Sequence, residues 1–86
     1  MDLYAKMGNE LRSLFKDLFD PSKQIEVSKK TAHLLRTAAQ IGGSVYSEAE
    51  QLSKEIEAFL KNRKDGKLLA LMKKHALHLE QETREI

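Results

Sequence analysis

The sequence predicts an all-α fold, an antiparallel up-down-up-down four-helix bundle, with residues 1–86 forming a single domain. Three observations carry this. Apolar residues recur at spacings of three and four along most of the chain. No stretch alternates with period two over enough residues to make a strand. Pro21, the Gly42-Gly43 pair and Asp65-Gly66 divide the chain into four segments, each of about 17 to 20 residues. Helices are expected near residues 3–19, 22–41, 45–62 and 66–84.

The first segment carries Tyr4, Met7, Leu11, Leu14 and Leu18, and Phe15 and Phe19 widen this stripe. Gly8 falls inside the pattern at a cost of about 1 kcal/mol relative to alanine. The helix is expected to stop near Phe19, because the residue before a proline avoids the α region. Asp20 then caps the next helix, with Pro21 as its first residue.

On the second segment, steps of 100° gather Val27, Thr31, Leu34, Leu35, Ala38 and Ile41 on one side. Glu26, Lys29, His33, Arg36 and Gln40 fall on the other. Gly42 or Gly43 supplies the stop. The third segment opens with Ser47-Glu48-Ala49-Glu50, a capping-box pattern. Its stripe is Val45, Ala49, Leu52, Ile56 and Phe59. The fourth follows the Asp65-Gly66 turn with Leu69, Met72, Ala76, Leu79, Thr83 and Ile86, widened by Leu68. Tyr4, Phe15, Phe19, Tyr46 and Phe59 are all expected in the core. Short connections make neighbouring helices antiparallel. The alternative assembly is a homodimer, with two helical hairpins completing a core between two chains.

Composition narrows the function. Eighty-six residues without a cysteine exclude disulfides, thiolate metal sites and cysteine nucleophiles. A net charge of +2, with 33% charged residues, argues against a strong nucleic-acid binder. No apolar run approaches the roughly 18 residues needed to span a bilayer, so no membrane partner is expected. The stretch from Met1 to Ser13 lacks a basic region followed by an apolar one, which points to a cytoplasmic protein beginning at Met1.

His33 is the most informative residue. It lies near the middle of the polar face of the second helix. Lys29 is one turn before it, and Arg36 and Thr37 are one turn after. A neutral, exposed imidazole can attack phosphorus, and adjacent cations can hold the transferred group. His75 and His78, with Glu80 nearby, are three residues apart, a spacing that can share a metal. They fall near or at the edge of the apolar stripe and read as boundary histidines, with no third ligand identifiable and no metal expected. Lys61, Arg63, Lys64 and Lys67 cluster around the last turn and read as solvated.

The stretch from Ala32 to Gly43 resembles the signature of histidine phosphotransfer domains. The residues that fit are Ala32, His33, Leu35, Arg36, Ala38, Ala39 and Gly43. Arg36 stands for the family's lysine, and Thr37 for a glycine one turn from the histidine, where a side chain is expected to crowd an approaching partner. The resemblance implies a four-helix bundle that accepts a phosphoryl group at His33, stabilised by Lys29 and Arg36. Gly43 would set the helix end. It also implies a receiver domain or histidine kinase as partner and no cofactor on this chain, any Mg²⁺ belonging to the receiver. A second resemblance rests on Leu34-Leu35-Arg36, Ile41 to Val45 and Glu48-Ala49. These are similar to the small four-helix proteins encoded in ribosomal RNA intervening sequences. That likeness implies a non-catalytic, oligomeric bundle that binds protein or nucleic acid.

Overall fold

The computed structural model describes residues 2–84 as four helices, with no strand among them. Met1 and Ile86, the latter expected on the fourth stripe, lie outside the described residues, as does Glu85. Helix α1 spans Leu3–Leu18, α2 Gln24–Ile41, α3 Gly43–Lys61 and α4 Gly66–Arg84. Each helix packs on its neighbour in sequence, and α4 closes back on α1, making a ring of four. The result measures 35 × 22 × 17 Å.

Local chemistry explains the boundaries. Asp2 caps α1 by accepting from the Tyr4 amide at 3.0 Å. Asp20 takes the extended conformation that a residue before proline prefers (φ −100°, ψ 109°). Its carboxylate accepts from the Ser22 amide at 3.0 Å and the Ser22 hydroxyl at 2.7 Å. It therefore caps a 3₁₀ turn, Pro21–Lys23, that leads into α2. Asp65 caps α4 through the Lys67 and Leu68 amides.

Gly42 alone separates α2 from α3. Its amide donates to Ala38 O at 2.8 Å, and its φ of +81° is a left-handed conformation that favours glycine. Gly43, at φ +58°, already begins α3. The third helix thus starts two residues before its expected boundary, which leaves Ser47 inside it. The capping box is not used: among the described residues no side chain caps α3. A helix that can restart straight after Gly42 has no need of a later start.

The stripes meet as expected. Met7, Leu11, Leu14 and Leu18 of α1 are buried with Val27, Leu34 and Ala38 of α2. Val45, Ala49, Leu52, Ile56 and Phe59 of α3, and Met72 and Leu79 of α4, complete the core. Burying such side chains is the main stabilising term. Buried Thr31 satisfies its hydroxyl by donating to Val27 O at 2.8 Å. Gly8 is buried where α1 approaches α4; a Cβ there would lie 3.6 Å from Thr83 Oγ1.

Phe19 departs from expectation, being 51% exposed. It caps α1 at the end of the bundle, and its ring packs edge-on against Phe59 and Phe15 at centroid distances of 6.1 and 6.5 Å. Tyr4, Phe15 and Tyr46 are only partly buried. Arg63 also departs. Instead of pointing into solvent, it donates from Nη1 to Leu18 O at 2.8 Å and lies 5.6 Å above the Phe59 ring. It ties the α3–α4 turn to the end of α1 and satisfies a carbonyl that the helix leaves free. Lys61, Lys64 and Lys67 are exposed.

Candidate functional site

His33 lies at the middle of α2, on the face turned away from the core. Val27, Thr31, Leu34 and Ala38 hold the opposite face inside the bundle. That anchoring leaves His33, Lys29 and Arg36 exposed together. Among the described residues, neither Lys29 nor Arg36 makes an ion pair. Their charges are therefore available to an anion arriving at the imidazole.

Thr37 does not crowd this face. It is 2% exposed and turned into the bundle. Its position on the wheel is at the flank of the apolar stripe, and a β-branched side chain with one small hydroxyl packs there readily.

The structure adds partners that the local sequence does not reveal. His33 rims a groove of about 260 Å³ between α1 and α2, lined by Asn9, Glu10, Ser13 and Lys30. Glu10 Oε1 is buried there without a hydrogen-bond partner. Lys30, one turn before His33, is engaged elsewhere: its Nζ lies 2.5 Å from Asp17 Oδ2. Asp17 is 6% exposed and also pairs with Lys23 at 3.5 Å. The Lys30 hydrogen bond holds the Asp17 carboxyl below its ordinary value, against the opposing effect of burial and with help from the Lys23 charge. Lys30 thus fastens α2 to α1, and Lys29 and Arg36 remain as the cations beside His33. The spacing of Lys30 from His33 was visible in the sequence. The α1 residues were not, because their place opposite His33 depends on how the helices are rotated in the bundle.

The other two histidines are held in the seam between α3 and α4. His75 is a boundary residue with a 13% exposed side chain, and its Nδ1 lies 2.8 Å from Glu55 Oε1. Its Nε2 is 4.0 Å from Glu48 Oε2. His78 Nδ1 lies 3.2 Å from Glu48 Oε1. Glu48 and Glu55 are seven residues apart, two turns of α3, so both face α4. That spacing was the available signal for these pairs. Glu80 is not part of the cluster; it pairs with Arg84. No group of three or more His, Cys, Asp or Glu side chains among the described residues is placed to hold a metal ion.

No helix among the described residues is long and apolar enough to cross a membrane. Comparison with protein-family models, curated proteins and solved structures gives no match. The functional reading rests on the site itself.

Proposed function

We propose that the chain is a phosphocarrier of the histidine phosphotransfer type, acting in the cytoplasm at His33. The observation that supports this reading is the exposed imidazole at mid-α2, flanked one turn away on each side by cations that make no ion pair among the described residues. A receiver aspartyl phosphate or a histidine kinase would supply the group. The lone pair of a neutral ring nitrogen attacks phosphorus as the bond to the donor group breaks, and the bonding electrons leave with the donor. The second ring nitrogen keeps its proton. Lys29 and Arg36 bind the phosphoryl oxygens through charge-assisted hydrogen bonds. The chain needs no cofactor in this scheme, and any Mg²⁺ belongs to the receiver.

Incubation with a phosphorylated receiver domain should label the protein in an acid-labile form. His33→Gln should abolish the label, and Lys29→Ala with Arg36→Ala should slow its appearance. Label that persists in the His33→Gln protein, or no label from a panel of receivers and kinases, would overturn the reading. A second reading, a non-catalytic interaction bundle, is favoured by one feature away from His33, the half-exposed Leu77 beside an apolar groove.

A further inference from the structure

That groove runs between α1 and α4 and has a volume of about 270 Å³. Leu11, Phe15 and Ala76 give it an apolar floor, and Arg12, Lys73 and Glu80 bring charge to its rim. Leu77 is 54% exposed at its edge. A projecting leucine next to an apolar depression is a knob beside a hole.

The charges on α4 say what kind of partner fits. Lys73 lies three residues before Ala76, and Glu80 lies three residues after Leu77. All four line the same groove. Reflected about the midpoint between Ala76 and Leu77, these four α4 residues keep their apolar centre and exchange their signs, while Arg12 of α1 adds a cation at the rim and Glu80 also meets Arg84 of its own helix. A second α4 laid antiparallel across that midpoint places Lys73 opposite Glu80 of the other copy, and the two-fold symmetry repeats the pair. The same register sets Leu77 of each copy over Ala76 of the other, beside the groove.

We propose that the α1–α4 face pairs with a second copy of this chain about a two-fold axis passing between Ala76 and Leu77. A two-fold interface requires a patch complementary to itself, and the reversed charges around an apolar centre meet that requirement. The inference is independent of the His33 reading. The His33 groove opens between α1 and α2, so pairing through α1 and α4 leaves it uncovered.

Sedimentation equilibrium of the purified chain, up to millimolar concentration, should show a monomer–dimer equilibrium. Leu77→Asp should shift it to monomer. Leu71→Asp should leave it unchanged, because Leu71 is an exposed leucine on the flank of α4 that carries His75 and His78. Lys73→Glu and Glu80→Lys should each weaken the dimer about tenfold by placing like charges opposite each other. The double variant should recover the affinity, because both pairs re-form with their signs exchanged. Circular dichroism on each variant checks that the helices persist. Three results would overturn the proposal: a wild-type monomer at every concentration, a Leu77→Asp protein that dimerises as well as wild type, or a double variant no tighter than either single one.

Discussion

The three histidines occupy two contrasting seams of one bundle. Between α1 and α2, His33 stands exposed with no hydrogen bond to Glu10, the acid that shares its groove, while Asp17 is matched by Lys30 and Lys23. Between α3 and α4, His75 and His78 each meet a glutamate from the facing helix. The residue type is the same, and what the opposite helix presents to its ring differs. A histidine held by a carboxylate orders structure; one with no such partner is left available for chemistry. The contrast comes from tertiary placement, since nothing adjacent to His75 in the sequence marks its ring as engaged.

The largest test asks whether the two seams belong to one structure. Leu14 of α1 and Leu52 of α3 are both fully buried. Changing either to alanine should cost about 2–5 kcal/mol, a large share of the roughly 5–15 kcal/mol that a folded domain has. Both variants should lower the thermal midpoint in a single transition seen by every probe. A two-step melt in either variant would mean that the hairpins unfold separately, and the comparison would then be between two units.

A smaller effect is expected at the engaged histidine. His75→Ala removes the group that meets Glu55 at 2.8 Å in a partly buried site. Leaving that carboxylate without its partner should cost about 1–3 kcal/mol, measurable as a lower urea midpoint at constant slope. An unchanged midpoint would show that the His75–Glu55 contact does not hold the seam.

Acid should act on the other seam through Asp17. Its carboxyl is held below the ordinary value of 3.8 in the folded protein, chiefly by the Lys30 hydrogen bond. A lowered folded value means that the unfolded chain binds the proton more tightly. The stabilisation is therefore complete above the ordinary value and is lost as pH falls through the folded one. Asp20, lowered by its Ser22 hydrogen bonds, acts in the same direction. Asp17→Asn should be less stable than wild type at neutral pH, and the gap should close in acid below about pH 4. A gap that stays constant down to pH 2 would remove Asp17 from the acid response.

How much of this could be read in advance follows from what each signal encodes. The four helices were legible because stripes such as Val45-Ala49-Leu52-Ile56-Phe59 report burial directly, and glycine and proline report breaks. The Ser47 capping box misled because its pattern is local, and the Gly42-Gly43 pair had already let the helix begin. Thr37 is expected to crowd the site because it stands one turn from His33 in place of a glycine, yet its angular position at the edge of the stripe turns it into the bundle. Arg63 looked like one more solvated cation until Leu18 O and the Phe59 ring were brought to it. Exposure of His33, Lys29 and Arg36 was legible from the wheel. The Glu10 and Lys30 groove beside them was not, since it depends on the rotation of α1.

The smallest effect sharpens the comparison most. His33→Ala is the same chemical change as His75→Ala, made on the same kind of helix interior. It deletes an exposed side chain with no hydrogen-bond partner among the described residues. Alanine also favours the helix over histidine by up to about 0.7 kcal/mol at either position. With nothing lost to offset that preference, His33→Ala should leave the urea midpoint unchanged or slightly raised, within about 0.5 kcal/mol. The difference between the two variants then measures what the α3–α4 seam gives His75, its glutamate contacts together with its burial, because the propensity term is common to both. A loss at His33 as large as that at His75 would mean that the imidazole is engaged in the folded protein. An imidazole so engaged would not be free to attack phosphorus, so this equilibrium measurement tests the phosphocarrier reading without any receiver in the tube.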